Sequence, residues 1–422
     1  MNWIEAPCTS SFEDITCNKD SSLNEVILHP AIFVALRKND TQVINFLFDN
    51  IYNILQLAFC NVSSPQATTS FEILTMMVPK ITEALINNCL FYKFANQLLS
   101  QQLQDPIVGR LSNITLKLIE TCITGSLDSC GFLFKLVKYV ENTSVSDLFT
   151  SIMEYKPELE VVQHWLVNRN ITDAILQNIH EIDIDSLSME DFNSKNVEKL
   201  CSFYKMIEMG IQNPILSGLF TSHEVIKSLA LRKEFVCFIE NKRWDANIAL
   251  AQTKNQRELL KPLIQLAHSF LYENFDHAHQ YHGKIIDFLR ITIKQSFEDK
   301  IPNRLLSLVE QFPECSLLHI SILSYFRSAL DLKLVDEQSL QIIGNQVYQA
   351  AQYTRLGTSL HATMMEMFIL LVRNGKKRKS VKKVLEKING FSDYSKNQLK
   401  TYKTVMKSEY GKKKSLFSFG SK

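Results

Sequence analysis

The chain has 422 residues, of which 45% are hydrophobic and 21% are charged, so it is too apolar for a disordered chain and can build a sizeable core. Its 46 basic and 44 acidic residues give a formal net charge of +2, which excludes the global positive field typical of nucleic-acid or membrane-surface binding. Only 12 glycines and 10 prolines occur, few for an all-β or α/β protein with many tight turns, and this favours helices.

From residue 22 almost to the end, amphipathic stretches of about 10 to 20 residues follow one another, and strand-type alternation is nearly absent. Prolines such as Pro106, Pro157 and Pro302 stand where the first turn of a new helix is expected. The short polar breaks between these stretches predict that consecutive helices pack side by side and antiparallel. The pattern therefore predicts an all-α protein, an irregular helical solenoid of the armadillo or HEAT kind.

We expect three parts along the chain. An N-terminal segment covers residues 1–21, the helical solenoid covers 22–407, and a basic disordered tail covers 408–422. The acidic stretch EIDIDSLSMED begins at residue 181 and predicts a solvated loop, with a subdivision of the solenoid near 181–195.

Residues 132–153, FLFKLVKYVENTSVSDLFTSIM, contain two apolar helical stripes separated by polar residues. Ser144 stands where the N-cap of the second helix belongs, and Asp147 follows three residues later, as in a capping box. A nucleophilic serine would need an activating base, and no histidine lies nearby in the sequence. The pattern therefore predicts a helix corner rather than a catalytic site.

The segment DHAHQYH at 276–282 is the best candidate for a metal site, but its spacing is poor. On a helix only His279 and His282 share a face, whereas zinc needs three or four convergent ligands. No glycine-rich phosphate loop, CxxC pair or nucleophile elbow occurs in the sequence. We therefore expect no enzyme activity, no metal and no cofactor, with a metal-dependent hydrolase as a minor alternative.

The basic run KKRKSVKK at 376–383 is the strongest local charge. It fits a solvated helix start, and a nuclear-import or anion-binding patch stays open as the alternative. The start MNWIEAPC lacks the basic and apolar regions of a signal peptide. The scattered cysteines also suit a reducing compartment. We expect a cytoplasmic protein, with a nuclear location left open, and neither membrane nor nucleic acid as a partner.

Short blocks in the first 180 residues resemble, in the same order, segments of one family. They are SLNEVI (22–27), FVALRKNDTQVINFL (33–47), SFEILT (70–75), DPIVG (105–109), TSVSDL (143–148) and the Trp165-Leu166 pair. In this order they resemble the SAPS family, the regulatory subunits associated with protein phosphatase 6 and its fungal counterpart. The matched Trp165 is expected to lie buried between helix pairs.

The resemblance implies a non-catalytic scaffold that binds a serine/threonine phosphatase catalytic subunit of the protein phosphatase 6 type and directs its substrate choice. It also leaves room for further regulatory partners. Arg37, Thr143, Ser144 and Asp147 occupy matched positions, and Glu141 and Asn142 lie beside the last three as polar groups. We expect these six residues at the partner-binding surface. The alternative function is a helical adaptor or transport protein unrelated to phosphatases.

Overall fold

The computed structural model describes residues 22–122, 127, 130–183, 194–231, 236–253, 257–355 and 358–409. The expected N-terminal segment 1–21, most of the acidic stretch (residues 184–191 of 181–191) and the tail from residue 410 lie outside these ranges. Within them every regular element is a helix, which confirms the all-α prediction. The chain divides into an N-terminal unit, Met1–Ser228, and a C-terminal unit, Leu229–Lys422.

The N-terminal unit carries fifteen α-helices in its described part, the last of which runs one residue past the division. They are α1 Leu23–Ile27, α2 Ile32–Arg37, α3 Thr41–Asp49, α4 Ile51–Cys60, α5 Pro65–Thr75, α6 Pro79–Ile86, α7 Leu90–Leu98, α8 Asp105–Thr121, α9 Leu133–Leu136, α10 Thr143–Met153, α11 Glu160–Asn168, α12 Ile171–Glu181, α13 Lys195–Gln212, α14 Ser217–Phe220 and α15 His223–Leu229.

Local sequence signals fix many of these helix starts. Ser22 and Glu25 form a capping box at α1, in which the Ser22 backbone N–H donates to Glu25 at 2.9 Å. Ser64 caps α5 immediately before Pro65, and Asp40 caps α3 by accepting from the next two free backbone amides. These caps fix the first residues of the three helices.

Helices of the N-terminal unit pack on their neighbours along the chain. Helix α4 packs on α5, α5 on α8, α8 on α10, and α10 on α13, so these five helices form a continuous row. Each contributes an apolar face. In α10 that face consists of the fully buried Val145, Leu148, Phe149, Ile152 and Met153. Such neighbour-to-neighbour packing is typical of helical solenoids.

The described part of the C-terminal unit continues with ten further α-helices. They are α16 Cys237–Thr253, α17 Arg257–Tyr272, α18 Gln280–Ile291, α19 Ile293–Ser296, α20 Ile301–Gln311, α21 Ser316–Asp331, α22 Glu337–Tyr353, α23 Ser359–Lys377, α24 Lys379–Glu386 and α25 Phe391–Glu409. Helices α16, α18, α21 and α23 form a row in which each packs on the next, and α17, α20 and α22 pair with members of that row.

Helix α16 is buried on more than one face and carries a charged pair into the interior. Arg243 and Glu240 are 0% and 1% exposed, and Arg243 Nη2 lies 2.7 Å from Glu240 Oε1. Arg243 Nη1 also donates to the Leu231 carbonyl at 2.7 Å. Trp244 is fully buried beside them and packs edge-on against Phe288. The buried charge is thus compensated by a carboxylate and a carbonyl.

The structure corrects the expectation for Trp165. Its indole is only half-buried on α11, where it packs against Phe134 with 5.5 Å between ring centroids. The core face of α11 is formed by Val162 and Leu166, four residues apart, and Trp165 lies at the flank of that face. The fully enclosed tryptophan of the described chain is Trp244 in the other unit.

In the described ranges, no single helix combines the length and apolar composition needed to cross a bilayer. The consecutive helices α3 and α4 reach that length and composition only together, and they meet at an angle of 72°. The apolar run at 364–372 lies inside α23, where most of its side chains are buried in the C-terminal unit.

Candidate functional site

The starts of three helices in the N-terminal unit meet at the position that the sequence singled out. We call this region the polar corner. It consists of Asp105, residues 141–144, Asp147, Lys195 and Lys199. The side-chain amide of Asn142 donates to the Asp105 carbonyl at 3.0 Å, which links α10 to the start of α8. Lys195, the first residue of α13, pairs with the Asp105 carboxylate at 3.2 Å.

The N-cap of α10 is Asn142, which corrects the assignment to Ser144. Asn142 Oδ1 accepts a hydrogen bond from the Ser144 backbone N–H at 3.1 Å. Asparagine and serine are comparable caps, but only asparagine also has the N–H that reaches Asp105. Ser144 lies inside the first turn, where its hydroxyl would be 3.4 Å from a Cβ added at Gly109 on α8. Ser144 is therefore a packing residue between α8 and α10.

Glu141 is not the exposed group that we expected. Its side chain is 12% exposed, and its carboxylate lies 3.7 Å from Lys199 Nζ, whose side chain is 20% exposed. The Lys195–Asp105 pair is much more exposed, at 66% and 58%. Solvent therefore screens the Glu141–Lys199 pair less than the Lys195–Asp105 pair, although Glu141 Oε2 is buried and accepts no hydrogen bond from the described residues.

Thr143 and Asp147 are the two exposed residues of the predicted set at this corner. Neither side chain forms a hydrogen bond or an ion pair with another described residue. Asp147 therefore does not return its carboxylate to the cap backbone, as the capping-box expectation required. These two side chains are available to a partner, whereas Glu141, Asn142 and Ser144 are engaged in the structure.

Arg37 is not brought to the polar corner. It lies exposed in the last turn of α2, and within the described part of the chain no hydrogen bond or ion pair connects it to the corner residues. The predicted set is thus split into a five-residue corner and a separate arginine.

Both lysines of the polar corner, and the ionic role of Asp105, were not predictable from the sequence. Lys195 and Lys199 are about fifty residues from the corner in sequence, and their approach depends on how α13 packs on α10. The family-like block DPIVG contains Asp105 and was the only available signal. A non-local ion pair of this kind has no local sequence pattern.

The histidine segment at 276–282 serves packing at the start of α18. His282 is 5% exposed and stacks on Phe275, with 3.9 Å between ring centroids. Its Nδ1 accepts from the His279 backbone N–H at 2.9 Å. Burial, and to a lesser extent the nearby His279, lowers the pKa of His282 to about 4. Among the residues that the structure describes, no group of three or more His, Cys, Asp or Glu side chains is arranged to bind a metal ion.

No protein-family model, curated protein or solved structure matches this chain.

Proposed function

We propose that this protein is a non-catalytic scaffold that binds a protein phosphatase 6-type serine/threonine phosphatase catalytic subunit and directs its substrate choice. The sequence blocks that resemble the SAPS family, in the same order, are the basis of this proposal. An all-α protein with rows of stacked helices fits such a role, because this architecture presents extended surfaces for protein partners.

The observation that points to a particular surface is that some side chains of the polar corner have partners within the protein, whereas others have none among the described residues. Asn142 and Ser144 are explained by capping and packing, so their presence says little about a partner. Thr143 and Asp147 belong to the same family-like block, yet the fold makes no use of their side chains. Exposed polar residues without a structural role are candidates for contact with a protein.

Asp147 indicates which chemical groups of the phosphatase would bind at the polar corner. It is an exposed carboxylate, and ion pairs at the rim of an interface improve association and specificity more than total affinity. A basic or amide group on the phosphatase surface is the complementary chemistry. Thr143 adds a hydroxyl that both donates and accepts hydrogen bonds.

The test is a calorimetric titration of the full chain with a purified catalytic subunit of the protein phosphatase 6 type. We expect saturable binding that weakens in Asp147→Asn and in Thr143→Ala. The matched control is Asp49→Asn, which removes the same charge from an exposed carboxylate at the end of α3. Melting temperatures of all variants should stay close to the wild-type value, because none of these side chains has a structural partner.

Three results separate the hypotheses. If the wild-type chain does not bind the catalytic subunit, the phosphatase function is wrong. If binding occurs but Asp147→Asn, Thr143→Ala and Asp49→Asn all behave like wild type, the function stands and the polar corner is not the contact. If the phosphatase does not bind and co-purification with mass spectrometry recovers a different stoichiometric partner, the helical-adaptor alternative is favoured.

A further inference from the structure

The C-terminal unit contains a cavity of about 740 Å³ that is lined by the end of α23, by α24 and by the start of α25. Five lysines from these three helices line it: Lys376, Lys377, Lys379, Lys382 and Lys396. Glu386 is the one acidic residue in the lining, so the formal charge of the lining is +4. Such a concentration of one charge around one cavity contrasts with a chain of nearly balanced charge.

Most of this positive charge is not neutralised by the protein. Lys382 lies 3.6 Å from the Glu386 carboxylate, in an exposed pair that solvent screens. The other four lysines form no ion pair with any described residue. Like charges that face one cavity repel one another, and an anion in the cavity would relieve that repulsion.

The fold directs some residues of the basic run into the cavity lining and others away from it. Arg378, in the middle of the run, turns away and donates to the Leu330 carbonyl at 3.1 Å. Lys383 is exposed but does not line the cavity. Lys396, by contrast, comes from α25, thirteen residues beyond the end of the run, and faces the same cavity. A merely solvated run would not require this convergence.

The three helices lie in direct contact, and of the two glycines where they meet only Gly390 is required by the backbone. At Gly375, an added Cβ would lie 3.6 Å from the Lys382 backbone, so α24 packs directly on the end of α23. Gly390 precedes α25 with φ = +81°, and a Cβ there would collide with the Tyr348 hydroxyl. The turn that presents the start of α25 to the cavity therefore requires glycine.

The remaining lining indicates the size and chemistry of a ligand. Ser392 supplies a hydroxyl donor, the Ser395 hydroxyl donates to the Ser392 carbonyl at 2.8 Å, and the buried side chains of Leu385 and Phe391 supply an apolar base. The volume lies within the range of small-molecule sites, about 300–1,000 Å³. Lysine ammonium groups bind phosphate as point charges. A ligand with several phosphates on a compact carbon frame would match both the positive charge of the lysines and the apolar residues at the bottom of the cavity.

We propose that this basic cavity binds a small polyphosphorylated ligand, such as an inositol polyphosphate, either free or as the headgroup of a phosphoinositide lipid. The lysines contact the phosphates, the Ser392 hydroxyl donates to one of them, and the apolar base contacts the carbon frame. This site is independent of the proposed phosphatase contact, which lies in the other unit.

The experiment is a calorimetric titration of the full chain with inositol hexakisphosphate at physiological salt. The cavity variant is Lys379→Ala with Lys396→Ala. The control is Lys383→Ala with Lys387→Ala, which removes two lysine charges from the same region without touching the lining. We expect the cavity variant to lose affinity by at least about tenfold, the value of a single charge-assisted hydrogen bond, and the control to stay near wild type.

A second arm identifies the source of the ligand. Sedimentation with phosphatidylcholine vesicles, with and without a phosphatidylinositol bisphosphate, shows whether a membrane headgroup reaches the cavity. Binding to those vesicles that is lost in the cavity variant assigns a lipid headgroup. Binding to inositol hexakisphosphate alone assigns a soluble ligand.

The proposal is overturned if neither probe binds, or if both double variants weaken binding equally, since that result describes non-specific attraction to a basic surface. It is also overturned if a single-stranded RNA binds more tightly than inositol hexakisphosphate and loses affinity equally in both variants. Should the cavity variant melt at a lower temperature than wild type, Lys376→Ala with Lys377→Ala replaces it and must show the same loss.

Discussion

The polar corner and the basic cavity use charge in opposite ways. At the polar corner, Asp105 and Glu141 are paired with lysines from the same chain, and Asn142 satisfies backbone groups of two helices. Around the basic cavity, four of the five lysines have no ionic partner in the described chain. A cluster of polar residues therefore indicates a binding partner only where its side chains are not already paired with other residues of the chain.

A second contrast is between a fully buried ion pair and a partly exposed one, and breaking the fully buried pair should have the largest effect. Glu240→Ala would leave the guanidinium of Arg243 buried without its carboxylate, at a cost of about 3–5 kcal/mol in the free energy of unfolding. Glu141→Ala removes an equivalent carboxylate from a partly exposed lysine, and we expect a cost of about 1 kcal/mol or less. Chemical denaturation measures both costs, with hydrogen exchange monitored in α16 for Glu240→Ala and in α10 for Glu141→Ala.

A double replacement sharpens this prediction. Because an apolar pair has no charge to desolvate, Glu240→Leu with Arg243→Met should be less destabilising than Glu240→Ala alone. Equal costs for Glu240→Ala and Glu141→Ala would contradict the claim that the deeper burial of the Arg243–Glu240 pair makes that pair the more costly one to break.

The C-terminal unit should also be sensitive to acid through His282. Its folded-state pKa of about 4 lies below the unfolded value of 6.5, so the unfolded chain binds more protons between these values. The contribution of neutral His282 is therefore fully present above pH 6.5 and is lost as the pH falls towards 4. It amounts to about 3 kcal/mol.

The measurement is the free energy of unfolding against pH for wild type and for His282→Phe. Phenylalanine keeps the stacking on Phe275 and removes the titration. We expect a shallower decline in the variant, although burial also lowers the pKa values of His319 and His361, which sustain part of the slope. Identical slopes would show that His282 titrates normally in the folded protein.

A smaller effect on stability should distinguish Asn142, the observed N-cap of α10, from Ser144, the cap expected from the sequence. Asn142→Ala removes the α10 cap and the link to Asp105, and we expect a loss of about 1 kcal/mol. Ser144→Ala should cost less, since its hydroxyl caps nothing. Thermal denaturation of both variants decides between them, and a larger loss for Ser144→Ala would restore the original assignment of the cap.

The fold class and several helix starts followed from local signals, because apolar stripes, caps and prolines act within a few residues. Asn142 was missed as the cap because its advantage over Ser144 depends on Asp105, a residue in another helix. Trp165 and Trp244 could not be ranked by burial, because the sequence does not show which helix is enclosed on several faces.

The two candidate sites show the same limit. The grouping of residues 141–144 and Asp147 at a corner was predictable, because these residues are neighbours in sequence. The approach of Lys195 to Asp105 and of Lys199 to Glu141 was not predictable. At the basic cavity, the run at 376–383 was evident. The addition of Lys396 and the removal of Arg378 depend on tertiary packing alone.

The most direct test of the central claim is hydrogen exchange of the full chain, measured with and without a purified phosphatase catalytic subunit of the protein phosphatase 6 type. We expect the phosphatase to slow exchange at the first turn of α10, around Thr143 and Asp147, and to leave the amides of α23, α24 and α25 around the basic cavity unchanged. Unchanged exchange throughout the N-terminal unit at saturating phosphatase would contradict the account.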